Sequence, residues 1–258
     1  THYLTHPADF DPYLDANQTE EIYNKDLDER VEMYSDEAIE ASKEISFDVI
    51  HAHDWLTAIA ALKIREKSGK PLIFHVHSLN YDRAGPDEQG QIYNLEKQVL
   101  QKADHVIAVS HYTKKICIDY YDADPEKISV IHNGISPIQA YRHPKPFPDH
   151  LVVFLGRMTR QKGPSHFLEI ARKVLSQISN VRFVMAGTGD QLKTLMTKSI
   201  RLGIANRCHF TGFLGREKIR DLLSMADVYC MPSISEPFGL SALEAAQFGV
   251  PVVISKQS

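Results

Sequence analysis

Residues Asp227 to Ser255 read DVYCMPSISEPFGLSALEAAQFGVPVVIS. Val228 to Pro232 is a short apolar run without charge, the pattern of a strand buried on both faces. Ser233 to Phe238 is a polar loop with a proline. Gly239 to Phe248 has helical composition and stops at Gly249 and Pro251, the expected termination signals. Pro251 to Ile254 begins a further buried strand. Glu244 is the helix's only charged residue, among Leu240, Ala242, Leu243, Ala245, Ala246 and Phe248. A helix apolar on nearly every side is expected to be buried, and a carboxylate there is costly without a specific partner. Glu236 stands eight residues earlier, in the loop. The helix N-terminus near Phe238, Gly239 and Leu240 offers free N–H groups and a positive dipole end, which suit a phosphate. Two carboxylates flanking an anion site suit a polyhydroxylated ligand that also carries phosphate. The plainer alternatives are a capping box between Ser233 and Glu236 and a solvent-facing Glu244. The length of apolar sequence between the two glutamates favours the functional reading.

Upstream, strands continue to alternate with helices. Leu151 to Leu155 reads as a strand and is followed by GRMTRQKG. Arg157 and Lys162 stand just past its end, where two cations near a helix start can grip a diphosphate; Arg160, between them, receives no role. Phe167 to Ile178 reads as an amphipathic helix and Val181 to Ala186 as a strand turning through GTGD at Gly187 to Asp190. Glycine permits a tight turn and close backbone approach to a ligand, so Gly187 is a candidate binding residue. Leu192 to Leu202 reads as helix, His209 to Thr211 as a short strand leading into Gly212, Phe213 and Leu214, and Glu217 to Met225 as helix. Ser136 to His150 holds four prolines and few apolar residues, the composition of an interdomain linker.

In the first half, residues 1 to 20 read as irregular loop. Glu21 to Ser46 reads as a helix, with Leu27, Val31, Tyr34, Ala38 and Ala41 at three- and four-residue spacing. Phe47 to Ile50 is the first strand, leading into HAHDW at His51 to Trp55; a helix from Leu56 to about Lys67 follows. Leu72 to Val76 is the next strand, leading into His77, then a polar segment from Asn80 to Gly90 and a helix to about Lys102. Asp104 to Val109 is a strand with Ser110 as N-cap of the next helix, and Ile128 to Ile131 a strand ending in HNG at His132 to Gly134. The alternation is that of an α/β protein with parallel sheets. Polar residues recur at the strands' carboxyl ends, where open α/β sheets place their ligands.

His51 and His53 lie two apart, so on an extended segment both face one way, and His75 and His77 do the same. One alternative is therefore a metal-dependent hydrolase using the His51/His53/His77 cluster with Asp54. Later strand ends offer only Ser110 and Asn133, poor zinc ligands, which weighs against it. His75 is expected to be packed against the sheet with its hydrogen bonds satisfied.

The segment SEPFGLSALEAAQFGVPVV resembles the signature of retaining glycosyltransferases of the glycogen synthase and sucrose synthase type (group 1, with a family 4-like first half), in which two glutamates separated by seven residues handle a nucleotide-sugar donor. FDVIHAHDW, IFHVHSL, ADHVIAVSHYTKKI and KISVIHNGI are also similar to that family. The resemblance implies the GT-B fold: two Rossmann-like domains facing across a cleft. It assigns phosphate binding to Arg157 and Lys162, the sugar hydroxyls to Glu236 and the ribose to Glu244. The donor sugar falls to His77 and Asn133, the nucleotide base to the loop at Phe213 and Leu214, and the acceptor side to Asp54. It further implies metal-independent transfer without a cofactor, with a nucleotide diphosphate sugar as donor substrate and a carbohydrate or other hydroxyl acceptor. A hexosyl group, glucosyl by preference, is the expected cargo.

The expected domains are 1–140 and 141–258, both incomplete. The glycine-rich loop after the family's first strand is absent, as is the C-terminal segment that crosses back to the first domain. A non-catalytic nucleotide-sugar-binding fragment is thus a further alternative. The net charge of −4 gives no general attraction to nucleic acid or anionic membrane. No apolar run reaches membrane-spanning length. Cys117, Cys208 and Cys230 are scattered, which fits a reducing compartment and a cytoplasmic location.

Overall fold

A computed structural model describes residues 27–256. The loop expected over residues 1 to 20, and residues 21 to 26 of the expected first helix, lie outside the described residues. The described chain divides into two compact units. One comprises Pro137–Pro232 with Ser241–Ile254. The other runs to Ser136 and takes in Ser233–Leu240.

The earlier unit is built on a sheet of β1 (Ile50–His53), β2 (Leu72–Val76), β3 (His105–Ala108) and β4 (Ile128–Val130), in that order and parallel throughout. Helices α1 (Leu27–Glu44), α2 (Asp54–Ser68), α3 (Asn80–Ala84), α4 (Gln91–Lys102) and α5 (His111–Tyr121) accompany it. Alternate residues Leu72, Phe74 and Val76 point into a core with Ala52, Val106, Leu100 and Tyr121, as period-2 strands require. Gly69 ends α2 in the left-handed conformation at φ +68°, and Ser110 caps α5 by accepting from Thr113 N at 3.0 Å.

Three expectations change here. The first strand is Ile50–His53, three residues later than Phe47–Ile50. Its partner β2 begins at Leu72, after the Gly69–Pro71 turn, so pairing can start only at Ile50↔Leu72. His51 and His53 therefore belong to the strand itself. The polar segment after His77 forms a helix, α3. In α1 the buried stripe is Val31, Ser35 and Ile39, at four-residue spacing, while Tyr34 and Ala41 face outward. Ser35 satisfies its hydroxyl by donating to Val31 O at 2.7 Å, which lets it sit inside.

The other unit holds a parallel sheet in the order β7–β6–β5–β8–β9: β5 (His150–Leu155), β6 (Val181–Ala186), β7 (Cys208–Gly212), β8 (Val228–Met231) and β9 (Val252–Ile254). Its helices are α6 (Pro164–Leu175), α7 (Leu192–Arg201), α8 (Arg216–Met225) and α9 (Leu240–Gln247). One core cluster gathers Phe154, Phe167, Phe183 and Met185, a second Val153, Leu223, Tyr229, Ala245 and Phe248. The strand order reverses at β5, between β6 and β8, and such a switch point opens a crevice at the carboxyl ends.

Helix α9 is less buried than its composition suggests. Leu240 and Leu243 are 41% and 40% exposed, and in the helix Ala245 alone is fully covered. The following strand is also open, with Val253 and Ile254 half exposed, because among the described residues β9 is the edge strand of its sheet. The proline-rich stretch before β5 has no helix or strand, yet it is tied down. Ile138 N donates to Gln247 Oε1 at 2.8 Å, Tyr141 Oη to Asp221 at 3.0 Å, and Arg142 to Ala226 O at 2.9 Å. Lys145 pairs with Asp227, whose carboxylate also accepts from Leu151 N and so fixes the start of β5.

Candidate functional site

In the later unit, the turns that follow β5, β6 and β7 stack on one another through glycines. Gly187 has φ +137°, and a Cβ there would stand 2.0 Å from Gly156 O. Gly187 N donates to Gly212 O at 2.8 Å, and Gly156 N to Ala186 O at 3.0 Å. At Gly189, φ +152°, a Cβ would stand 2.7 Å from Met158 O. The turn bearing Arg157 and Lys162 is thus fixed from beneath by main chain alone. Arg157 is exposed, and Lys162 is half-buried at the end of a single 3-10 turn, Arg160–Lys162. Gly163 closes that turn at φ +64°, and a Cβ there would stand 2.0 Å from Pro232 O, just past β8. The cation-bearing turn is thereby held between the ends of β5 and β8, at the switch point. Within it Thr159 Oγ1 and Gln161 Oε1 are shut from solvent and have no hydrogen-bond partner among the described residues. Buried orphans of this kind are uncommon, and strain, a catalytic role or a bound water or ion accounts for them. Of the remaining assigned residues in this unit, Phe213 is exposed, Leu214 packs on the core, and Glu244 is half-buried on α9.

The earlier unit brings together a second set. Asp54 opens α2 with φ +55°, an unusual value for a residue other than glycine. Its carboxylate accepts from His77 N at 2.7 Å and Ser78 N at 3.2 Å, so it holds the backbone at the end of β2. Burial raises its pKa, against the pull of those two N–H donors. His77 Nε2 lies 3.0 Å from His53 Nδ1. Asn133 is half-buried in the turn after β4, beside His132, whose ring packs 5.6 Å from that of Phe238.

Glu236 is 6% exposed, and Ser233 Oγ donates to its Oε2 at 3.1 Å. This is not a helix-capping box: the two side chains meet each other, and α9 starts only at Leu240. Gly239, at φ +79°, turns the chain into that helix. Beside Glu236, Ser235 Oγ donates to Asp82 Oδ1 at 2.5 Å and lies 3.1 Å from Tyr112 Oη. Asp82 also accepts from Leu79 N at 2.8 Å, and burial raises its pKa. Behind it sits Glu96, 1% exposed, which accepts from Asn80 N, from Tyr121 Oη at 2.8 Å and from Arg83 at 2.7 Å. These bonds hold α3 in place and explain why the polar segment folds as a helix. Asp82, Glu96, Tyr112 and Ser235 were not singled out in the sequence, since nothing local marks partners so far apart in the chain.

The histidines form a ladder on one face of β1 and β2. His53 pairs with His75 in register, and ring centroids are 4.5 Å apart for His51–His53, 5.1 Å for His53–His75 and 4.2 Å for His75–His77. His75 was expected to have satisfied hydrogen bonds; instead Nδ1 and Nε2 are both buried without a partner among the described residues. Burial and the neighbouring imidazoles hold its pKa down to about 4 and lower that of His53. The three histidines placed to share an ion are His51, His53 and His75, not the His51/His53/His77 set, because His77 is turned toward His53 Nδ1 and Asp54 is spent on backbone N–H groups.

Residues 138–258 match the family model for glycosyl transferases group 1, and residues 30–138 that for glycosyltransferase family 4. An uncharacterised glycosyltransferase of Methanocaldococcus jannaschii is 31% identical over 225 residues, covering 81% of this chain and 57% of the relative. Glycogen synthase of Mycobacterium tuberculosis is 29% identical over 215 residues, covering 81% and 52%. Anabaena HepE in complex with UDP-glucose superposes with a TM-score of 0.73 at 23% identity, over 88% of this chain and 63% of that one. The chain spans about half the length of the curated relatives it matches. No helix among the described residues is long and apolar enough to cross a membrane. With two parallel α/β units and the two family models together matching residues 30–258, the chain belongs to the group 1 and family 4 glycosyltransferases, with the GT-B fold.

Proposed function

We propose that this chain transfers a hexosyl group, with retention of anomeric configuration, from a nucleotide diphosphate sugar to a hydroxyl acceptor. The cation-bearing turn at the carboxyl end of β5 carries this reading. Arg157 and Lys162 are presented by a main-chain framework that admits no side chain at Gly163 or Gly187, which is the preorganisation a leaving diphosphate needs. Departure of the diphosphate puts negative charge on its oxygens and positive charge on the sugar ring. Arg157, Lys162 and the N–H groups at Gly239 and Leu240 stabilise the first. Glu236 and Glu244 accept from sugar and ribose hydroxyls respectively, and Phe213 and Leu214 hold the base. Phe238 and Gly187 shape the donor contacts. His77 and Asn133 orient the sugar. Asp54 fixes the His77 backbone and takes the acceptor side. No side chain is assigned as nucleophile, so retention proceeds by front-side attack. The cations and the helix dipole replace a metal, and transfer persists in EDTA.

Glucose on uridine diphosphate is the first donor to offer, because the HepE structure carries UDP-glucose. The acceptor is a carbohydrate or another hydroxyl compound. Three buried free cysteines support a reducing, cytoplasmic setting. The test is release of nucleotide diphosphate from a panel of nucleotide sugars by the full chain. Lys162→Ala is expected to lower the rate by about 10²–10³-fold, the usual loss of a group that stabilises developing charge, with the fold unchanged by circular dichroism. Normal turnover in that variant overturns the phosphate assignment.

A further inference from the structure

We propose that His51, His53 and His75 form a binding site for a late first-row divalent ion of the Zn²⁺ class. The three offer one ring nitrogen each, all within 4.8 Å of one another. They stand on the two adjacent strands β1 and β2, with His53 and His75 directly paired, so the backbone positions are fixed and only side-chain rotation is needed. Zinc lies about 2.0–2.1 Å from imidazole nitrogen, so the three nitrogens must close by side-chain rotation to share one ion. His75 can turn without breaking a hydrogen bond, since neither of its nitrogens has one. An ion also supplies the buried ring with the partner it lacks.

One of the three rings already has a neighbour that orients it. His53 Nδ1 lies 3.0 Å from His77 Nε2, which leaves Nε2 of His53 for the ion. A ligating histidine ordinarily uses its other ring nitrogen in this way, and the bond fixes tautomer and orientation. All-imidazole ligation selects zinc, cobalt, nickel or copper over magnesium or calcium. Asp54 is engaged with the backbone of His77 and Ser78, so no carboxylate joins the set. Three protein ligands leave a coordination position for water. The site is not part of the sugar-transfer machinery proposed above, and it reaches that machinery only through His77.

The experiment is titration of the tag-free full chain with Co²⁺, followed by its visible absorption, and then displacement by Zn²⁺. One equivalent is expected to bind. His51→Ala, at an exposed position, is expected to weaken binding at least tenfold, as is His75→Gln. His209→Ala, on the exposed side of β7, is expected to leave it unchanged. Absence of stoichiometric binding, or equal affinity in the wild type and His51→Ala, overturns the proposal. If His75→Gln fails to fold by circular dichroism, His51→Ala alone decides. Binding is read without any transfer assay, so the two proposals stand or fall separately.

Discussion

Single residues show how this chain holds charge. Glu96 is enclosed and still tolerable because three donors surround it; a buried carboxylate with fewer would be severely destabilising. Asp104 is the contrary case. It takes a bidentate pair from Arg65 at 2.9 and 3.0 Å and the N–H of Leu72 at 2.8 Å, which holds its pKa down to about 2. Its folded pKa lies below the ordinary carboxylate value, so its contribution is present above about pH 4 and is lost as pH falls toward 2. The two side chains are 43% and 37% exposed, so screening limits the pair to about 1 kcal/mol or less. Asp104→Asn is therefore expected to lower the melting temperature slightly at pH 7, with the gap to wild type closing between pH 4 and pH 2. A gap that stays constant across that range would mean that the ion pair is not its source.

At the scale of elements, the glycine contacts of the turns after β5 and β6 matter most. Gly163 and Gly69 share the same left-handed backbone, at φ +64° and +68°, but only Gly163 has a neighbour, Pro232 O, where a Cβ would go. Gly69→Ala then costs only the left-handed penalty of about 1–2 kcal/mol. Gly163→Ala adds a backbone collision that no rotamer relieves, and it is expected to cost at least about 1–3 kcal/mol more and to depress transfer by displacing Lys162. Urea midpoints of the two variants measure the difference; equal midpoints would refute the contact. Such contacts are where sequence reading stops. The βα alternation, β2, β6 and the Ser110 cap were legible because periodicity and cap chemistry are local. The start of β1 was not, since pairing with Leu72 sets it. Nor was the exposure of β9, because composition cannot tell an inner strand from an edge. The positions of Arg157, Lys162 and Glu236 in turns past strand ends were legible, while Glu244 lies within α9. Asp82 and Ser235, 153 residues apart, were not, because only the folded chain makes them neighbours.

At the scale of the whole molecule, each unit has its own core and its own parallel sheet, and Arg157 and Lys162 follow the carboxyl end of β5. Any ligand that binds only the folded chain stabilises it by linkage, about 2.7 kcal/mol when its concentration is a hundred times its dissociation constant. For a chain of this size that corresponds to a rise of about 5–10 °C in melting temperature. Uridine diphosphate is expected to produce such a rise without any acceptor present, because the phosphate contacts precede chemistry. Lys162 is half-buried at a loop end and outside both cores, so Lys162→Ala should melt like the wild type when ligand-free and lose most of the diphosphate-induced rise. Uridine alone, lacking phosphate, should raise both proteins equally and little. If the variant keeps the full shift with uridine diphosphate, the diphosphate is held elsewhere, and the turn after β5 is a structural feature of the sheet rather than its phosphate grip.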